Sequence, residues 1–328
     1  MTDRRILFFM QPFPFPSGGV ATIYRHAEIL AEHGFPAYVT LPEKPPVDFY
    51  GSHAPLIVHG GNMPVGPGDI FVVPEGYPEI VAALKSTPAK RLMFCQNQYY
   101  LPFTPDPRAG FAEFGVHGVI ASSDAVRAFF GDVYGLTDVP FVPYAVDPAI
   151  FAPVPEKRRQ IAFMPRKLAQ DIPLICAVFQ RRHQRHAGVP WVAIDGKTRR
   201  ETAAILAESD VFLSLSHKES FGLPPLEAMA CGCLVAGFHG DGGREYITSE
   251  NGWWAETGDW KACVDGLAAA LDLLAGGGNT STARREAMAA TVARYSPARM
   301  EAELLGFWRK ELVTPFLPDQ QATRGSNS

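Results

Sequence analysis

Residues 211–247 constrain the fold more strongly than any other stretch of the chain. Their sequence is VFLSLSHKESFGLPPLEAMACGCLVAGFHGDGGREYI. VFLSL is a short apolar run typical of a buried strand, and CLVAG predicts the next strand. Between them, a polar loop leads into PPLEAMAC, which predicts a helix because proline suits the first helical turn, where its missing N–H has no partner. The predicted order is therefore strand, loop, helix and strand.

The start of that helix predicts a site for an anion. Gly222 and the amides that follow it lie at a helix N-terminus, where unpaired N–H groups and the positive end of the helix dipole favour negative charge. Two carboxylates bracket this point, Glu219 in the loop and Glu227 one or two turns into the helix. The combination suits a phosphorylated ligand with hydroxyl groups on either side of its phosphates. The alternative is an amphipathic helix with a solvated Glu227.

The run ESFGLPPLEAMACG, residues 219–232, resembles the E-x7-E segment of retaining GT-B glycosyltransferases of family 4 and its relatives. Members of this family use a nucleotide-sugar donor. The resemblance implies that Glu219 faces the donor sugar as a catalytic residue and that Glu227 holds the ribose hydroxyls. It also implies that the amides around Gly222 and Leu223 meet the pyrophosphate. The donor-binding residues implied in this segment are Ser220, Phe221, Gly222, Leu223 and Glu227.

The resemblance implies an α/β protein of the GT-B class, with two Rossmann-like domains whose parallel sheets face a cleft. VPYAVDPAIFAP, residues 142–153, resembles the V-P-N-G-V-D-x-x-x-F-x-P segment that closes the first domain of the family, with Tyr144 and Ala145 in place of Asn-Gly. We therefore expect an acceptor-side domain, a donor-side domain, a C-terminal helix that crosses back onto the first domain, and a disordered tail. Their expected bounds are 1–153, 154–296, 297–317 and 318–328.

The N-terminal region predicts a βαβ unit. RILFFMQ predicts a strand, VATIYRHAEILAEHG a helix and AYVTL a second strand, so we expect a right-handed crossover in a parallel sheet. Gly18 and Gly19 lie where the loop enters the helix, but the spacing is not G-x-G-x-x-G and indicates no dinucleotide fingerprint. In the family that the chain resembles, a glycine pair here lies near the donor phosphate. A plain tight turn is the alternative.

The strand QIAFMPRK delivers two cations to its C-terminal end. In the resembling family an arginine here and a lysine five residues later bind the diphosphate, and Arg166 matches the arginine. Asp171 stands at the lysine position, so Lys167 and Lys197 both remain candidates for the second charge. A guanidinium pairs well with phosphate oxygens, and a departing diphosphate needs its developing charge neutralised. A surface salt bridge is the alternative for each cation.

The loop CQNQYYLPFTPDP is rich in amide and aromatic side chains. It follows a predicted strand, and such loops at the C-terminal ends of parallel strands commonly contact ligands. Many relatives carry a histidine here that is thought to touch the donor sugar, whereas this chain has Gln96, Asn97 and Gln98. Amides orient hydroxyl groups rather than move protons. We expect Gln96, Asn97 and Tyr99 on the acceptor side, with the aromatic rings either stacking on a sugar or packing internally.

Composition excludes several classes of partner. The 328 residues are 47% hydrophobic and 20% charged, with a net charge of −4, so no broad electrostatic case exists for nucleic acid. The basic cluster at 181–186 follows an apolar run, and we interpret it as the solvated end of a helix. The sequence has no uninterrupted apolar run of about eighteen residues, so we expect no membrane-spanning helix. The N-terminal apolar run is short and broken by prolines, which favours a first strand over a signal peptide.

The cysteines and carboxylates predict neither disulfides nor a metal site. The five cysteines are scattered and mostly lie in apolar runs, which fits a reduced, cytoplasmic setting. Cys231 and Cys233 have no second Cys/His pair of matching spacing, and we interpret them as small buried residues. Since no Asp-x-Asp ends a predicted strand, we expect no cofactor and no obligatory divalent metal.

The function that the resemblance implies is retaining transfer of a sugar from a nucleoside diphosphate to a hydroxyl acceptor, an EC 2.4 hexosyltransferase activity in polysaccharide or cell-surface glycan biosynthesis. The acceptor would be a glycan or a lipid-linked glycan. Two alternatives stay open: a non-catalytic nucleotide-sugar or glycan binder, and a nucleotide-sugar epimerase on the same fold. The sequence does not choose the sugar, the base, the acceptor, the oligomeric state, or whether the cytoplasmic protein touches the inner face of the membrane.

Overall fold

The computed structural model of the protein describes residues 4–48, 50–62, 65–106, 108–276 and 279–313. Six strands of the described chain form the first sheet: β1 (Ile6–Phe9), β2 (Ala37–Leu41), β3 (Leu56–Val58), β4 (Ile70–Pro74), β5 (Lys90–Cys95) and β6 (Gly118–Ala121). All their pairings are parallel, in the order β3-β2-β1-β4-β5-β6. This is the order of a Rossmann sheet, and β1 at its centre is buried throughout.

Five further strands of the described chain form the second sheet: β7 (Arg158–Phe163), β8 (Trp191–Ala193), β9 (Ser209–Ser216), β10 (Leu234–His239) and β11 (Trp253–Ala255). They are also parallel, in the order β11-β10-β9-β7-β8. The expectation of two Rossmann-like domains built on parallel sheets is confirmed.

The helices cover the faces of both sheets. Those that the described residues form are α1 (Gly18–Glu32), α2 (Pro78–Leu84), α3 (Asp124–Tyr134), α4 (Ile172–Arg182), α5 (Arg199–Glu208), α6 (Leu223–Ala230), α7 (Trp260–Gly276), α8 (Asn279–Ala293) and α9 (Pro297–Val313). None of the described helices combines the length and the apolar character that a membrane span requires.

The strand orders define where each sheet can bind a ligand. In a doubly wound sheet, ligands bind outside the carboxyl ends of the strands, at the point where the strand order reverses. That point lies between β1 and β4 in the first sheet and between β7 and β9 in the second. The loops that follow these four strands are therefore the expected site.

Helix α9 packs on the first domain although it follows the second in the chain. Ser296 caps it through a hydrogen bond from the Arg299 N–H (3.3 Å), and Pro297 occupies its first position. Trp308 is fully buried in the core of the first sheet, with its ring 6.1 Å from that of Phe8. The helix thus connects the two domains by burying its apolar face. The expected disordered tail, 318–328, lies outside the described residues.

The basic cluster at 181–186 lies at the exposed end of α4, as interpreted from the sequence, and it also pairs with two carboxylates of α7. Arg182 and His183 both contact the Asp265 carboxylate of α7, and His183 lies 2.8 Å from it. One helical repeat further on, Arg185 and His186 bind Asp272 in the same way. These ion pairs join α4 to α7. The sequence analysis did not find these pairs because the acidic partners lie more than eighty residues away.

A lysine amine caps the C-terminal end of α5. Lys157 Nζ donates to the carbonyl oxygens of Ala207 (2.7 Å) and Ser209 (2.9 Å), and lies 3.5 Å from that of Leu206. The last carbonyls of a helix have no partner within the helix, and a cation there also complements the helix dipole. Lys157 therefore stabilises the junction at which the chain enters β9.

We expect Lys157→Met to lower the free energy of unfolding by about 1–3 kcal/mol, because it keeps the aliphatic stem but leaves partly buried carbonyls without a donor. Urea unfolding monitored by circular dichroism measures this. Lys261→Met on α7 is the matched control, since Lys261 is exposed and should change stability by less than about 0.5 kcal/mol. Equal stability of the two variants would contradict the capping role.

Candidate active site

The loops at the two switch points face each other across a cavity of about 530 Å³. The first sheet contributes Met10 and Phe13 after β1, and Glu75 after β4. The second sheet contributes Arg166 after β7 and Glu219 after β9. The volume is within the range of about 300–1,000 Å³ that is usual for small-molecule sites.

Every site residue predicted from the sequence lines this cavity, with the exception of Tyr99. The predicted residues that line it are Gly18, Gly19, Gln96, Asn97, Arg166, Lys167, Lys197, Glu219, Ser220, Phe221, Gly222, Leu223 and Glu227. Tyr99 is 42% exposed, and its hydroxyl hydrogen-bonds the Asp241 carboxylate across the domain boundary. The fold thus brings distant motifs to one cavity and leaves Tyr99 outside it.

The N-terminus of α6 opens into the cavity. The helix begins at Leu223, one residue before the first proline, and no side chain caps it. Gly222 precedes it with φ of +85°, a conformation that favours glycine, and its carbonyl accepts a hydrogen bond from the Tyr246 hydroxyl (2.7 Å). Because Pro224 and Pro225 lack N–H groups, the donors at this helix end come from the backbone around Gly222 and Leu223.

A second helix N-terminus faces the same cavity. Helix α1 begins at Gly18, and the Ser17 side chain caps none of its N–H groups. A Cβ atom at Gly18 would lie 2.9 Å from Leu223 Cδ1, so glycine permits α1 to approach α6 closely. Two uncapped helix ends at one cavity create a positive potential without any side-chain charge. This arrangement favours an anion such as a diphosphate.

The cations of the cavity differ in whether they are already paired. Lys167 Nζ lies 3.4 Å from Glu219 Oε1 and donates to the Tyr100 hydroxyl (2.9 Å). Arg166 and Lys197 also line the cavity, and neither forms an ion pair within the described part of the chain. Of the two candidate lysines, Lys197 is therefore the one that is not in direct contact with a carboxylate, although its charge acts on Glu201.

Two carboxyl groups in the cavity are strongly desolvated. Burial raises the pKa of Glu227, on α6, to about 7, although the nearby Arg199 guanidinium lowers it in part. Burial likewise raises the pKa of Glu75, after β4, to about 7. Acids with such pKa values in a cleft are typical of functional sites, because folding otherwise selects against burying them.

Glu75 was missed by the sequence analysis. Its carboxylate accepts a hydrogen bond from the Gln96 N–H (2.9 Å), and the Gln96 side-chain amide donates to the Gly19 carbonyl (3.0 Å). These bonds join the ends of β4 and β5 to the start of α1. A signal was present, because Glu75 directly follows the apolar run DIFVVP, at the C-terminal end of a predicted parallel strand.

The predicted residues Asn97 and Ser220 hydrogen-bond each other across the domain boundary. The Ser220 hydroxyl donates to Asn97 Oδ1 (3.1 Å), and Asn97 Nδ2 donates to the Lys218 carbonyl (3.0 Å). Lys218 is the one non-glycine residue with positive φ (+47°) among those described. Strained backbone of this kind persists where surrounding contacts enforce it, commonly beside functional groups. Asn97 and Ser220 therefore hold the loop that carries Glu219.

In the segment 142–153, Tyr144 stands where the family pattern has Asn, and its packing explains the difference. Tyr144 is 5% exposed and stacks on Phe221, with ring centroids 4.8 Å apart. The ring of Tyr295 contacts the edge of Phe221 from another side, at 5.1 Å. These aromatic contacts fix Phe221, and with it the turn that leads into Gly222.

The described residues contain no group of three or more His, Cys, Asp or Glu side chains that could hold a metal ion. Cys231 and Cys233 are both fully buried and are not joined in a disulfide. Their burial agrees with their interpretation as small core residues.

Comparisons with known proteins support the assignment that the geometry suggests. Residues 191–279 match the sequence model of the family described as glycosyl transferases group 1. An α-1,6-glucosyltransferase of Actinobacillus pleuropneumoniae serotype 7 (strain AP76) is 27% identical over 78% of this chain and 80% of its own length. The N-acetyl-α-D-glucosaminyl L-malate synthase of Bacillus anthracis is 39% identical over 30% of this chain and 26% of its own length.

Solved structures share the fold across nearly the whole chain. Sucrose-phosphate synthase from Thermosynechococcus elongatus superimposes with a TM-score of 0.70 at 15% identity, over 94% of this chain and 99% of its own. HepE from Anabaena in complex with UDP-glucose gives a TM-score of 0.66 at 16% identity, over 93% of this chain and 99% of its own. The solved structures show that the chain has the GT-B fold. The family match over residues 191–279 and the glucosyltransferase relative, together with the motif residues gathered at the cleft, support an enzyme of the hexosyltransferase class.

Proposed function

We propose that the protein transfers a hexose from a nucleoside diphosphate to a hydroxyl acceptor with retention of configuration. One observation carries this proposal: a single cavity combines the uncapped N-terminus of α6, the cations Arg166 and Lys197, and the carboxylates Glu219 and Glu227. The helix end and the cations suit a diphosphate, and the carboxylates suit hydroxyl groups on either side of it.

The donor would lie along the second domain. Its diphosphate would accept hydrogen bonds from the backbone at Gly222 and Leu223 and charge-assisted bonds from Arg166 and Lys197. The ribose hydroxyls would donate to Glu227, and the sugar would face Glu219. The structural relative HepE was solved with UDP-glucose, which supports a nucleotide sugar as the donor class.

The chemical step needs charge stabilisation more than it needs a nucleophile. The bond between the anomeric carbon and the diphosphate oxygen breaks, the acceptor oxygen bonds to the same face of that carbon, and the acceptor proton passes to the departing diphosphate. Arg166, Lys197 and the two helix ends would stabilise the charge that develops on the diphosphate. Glu219, paired with Lys167, would orient the sugar hydroxyls. No metal ion is needed in this scheme.

The acceptor would be a glycan or a lipid-linked glycan, in the synthesis of a polysaccharide or another cell-surface glycan. The name of the α-1,6-glucosyltransferase relative supports a sugar hydroxyl as the acceptor class. Phe15 is 63% exposed and Tyr100 is 55% exposed at the rim of the cleft. A cytoplasmic enzyme could contact the inner face of the membrane through these rings.

A thermal-shift panel of UDP-, GDP-, ADP- and dTDP-sugars tests the proposed donor class, because a ligand that binds only the folded state raises the melting temperature by mass action. We expect at least one member to stabilise the protein by about 2.7 kcal/mol at a hundred times its dissociation constant. Without an acceptor, the protein should hydrolyse the bound donor and release the nucleotide. This hydrolysis should continue in excess chelator. If none of these nucleotide sugars raised the melting temperature, the proposal would be rejected.

Removal of the Arg166 charge should slow transfer strongly. We expect Arg166→Ala to reduce turnover by about 10²–10³-fold, because it removes a charged contact to the departing diphosphate. Steady-state transfer kinetics measure this. Arg158→Ala is the matched control, since Arg158 is an exposed arginine at the start of β7, the strand that precedes Arg166, and it pairs with Glu208. Similar turnover in the two variants would exclude Arg166 from the diphosphate site.

The raised pKa of Glu227 predicts a pH-dependent affinity for the donor. The carboxylate, present above about pH 7, accepts hydrogen bonds from ribose hydroxyls better than the acid does. The KM for the donor should therefore rise about tenfold between pH 8 and pH 6. Glu227→Gln should abolish this dependence and raise KM at pH 8. Glu208→Gln should do neither, since Glu208 pairs with Arg158 and does not line the cavity.

The raised pKa of Glu227 also means that its ionised form lowers the free energy of unfolding. Because its pKa is higher in the folded than in the unfolded state, ionisation destabilises the fold as the pH rises from about 4.5 to 7, by at most about 3 kcal/mol. Glu227→Gln should thus melt at a higher temperature at pH 8 than the wild type while it binds the donor less tightly. A variant that lost both stability and affinity would contradict this account.

A further inference from the structure

The two walls of the cleft differ in charge. Its cations, Arg166, Lys167, Lys197 and Arg199, all belong to the second domain. The described lining residues of the first domain include no Lys, Arg or His, and Glu75 is its one carboxylate. Its other lining side chains are mostly apolar or aromatic and include Met10, Phe13, Ile23, Tyr50 and Tyr77. The wall that faces the donor site is therefore apolar apart from the amides of Gln96 and Asn97, a few hydroxyls and a single acid.

Glu75 is held so that it can receive a ligand. Its hydrogen bonds come from backbone N–H groups, foremost that of Gln96, and no cationic side chain pairs with it among the described residues. A carboxylate can accept about four hydrogen bonds, so the Gln96 bond leaves capacity for ligand hydroxyls. The bond from the Gln96 side chain to Gly19 fixes the loop that supplies this N–H.

Burial raises the pKa of Glu75 to about 7. This is the expected direction for a carboxyl group that loses hydration and forms no ion pair with a cationic side chain. Its place at the switch point of the first sheet, where doubly wound sheets bind ligands, is opposite the proposed donor site.

We propose that Glu75 is an acceptor-binding residue, and that the acceptor is an uncharged sugar or polyol whose hydroxyls donate to this carboxylate while its apolar face packs against the first-domain wall. This inference rests on the proposed function. An acceptor with a carboxylate or a phosphate near the reacting hydroxyl would place a second negative charge beside Glu75, with which no cationic side chain of the described first-domain lining pairs. Like charges in such a place repel strongly.

Matched acceptors test this proposal directly. The nucleotide sugar that gives the largest thermal shift would be supplied with octyl β-D-glucoside, galactoside or mannoside, and with octyl β-D-glucuronide, which differs from the glucoside by a carboxylate at C6. We expect at least one neutral glycoside to be glycosylated, with kcat/KM at least about a hundredfold above that of the glucuronide. Equal use of the glucuronide, or no transfer to any neutral glycoside, would overturn the proposal.

Variants of Glu75 separate acceptor binding from a structural role. Glu75→Gln should raise the KM for the neutral glycoside by tenfold or more, and Glu75→Lys should shift the preference toward the glucuronide. In both variants the donor should still raise the melting temperature, because Glu75 lies on the wall opposite the proposed donor site. Glu79→Gln, an exposed acid on α2, is the control and should leave all these quantities unchanged.

The outcomes distinguish this proposal from the one on which it rests. Loss of donor hydrolysis in Glu75→Gln together with loss of transfer would assign Glu75 to the donor site or to the fold and reject its acceptor role. An unchanged KM would reject that role as well. A wild-type protein that neither binds nor hydrolyses any nucleotide sugar would refute the proposed function itself, and the acceptor proposal with it.

Discussion

The parallel pairing of β7 with β9 is the contact on which the site depends. Phe163 lies beside Leu213 in this register, so the two strands end at the same edge of the sheet. The loop with Arg166 and the loop with Glu219 must then emerge side by side, although more than fifty residues separate them along the chain. The reversal of strand order at this pair sends the flanking helices to opposite faces, which leaves the space that the ligand would occupy.

Burial sets the protonation behaviour of the two acids Glu75 and Glu227 in the cleft. Burial removes part of the hydration of the Glu227 and Glu75 carboxyl groups, so their pKa values rise. The same desolvation strengthens every interaction that a ligand would make with these groups. Stability is reduced at these two positions, and the hydrophobic cores of the two domains offset the loss.

The domains contact each other through both polar and apolar groups. Asn97 and Ser220 hydrogen-bond across the boundary, Tyr144 stacks on Phe221, and α9 covers the core of the first sheet. The Asn97–Ser220 bond and the Tyr144–Phe221 stack both act on the loop that carries Glu219 and Gly222. The geometry of the proposed donor site therefore depends on both domains, although nearly all of its charged groups come from one.

The sequence by itself predicted most of the strands and helices, because these follow from local periodicity and from glycine and proline chemistry. The resemblance carried by residues 219–232 and 142–153 implied the two Rossmann-like units. Only the tertiary structure decided that Lys167 pairs with Glu219, that Asn97 binds Ser220, that Asp265 and Asp272 bind the basic cluster at 181–186, and that Glu75 lines the cleft. The physical reason is that a charge or an amide can pair with any complementary group that folding brings near. Sequence spacing carries no information about that distance once the partners lie on different loops.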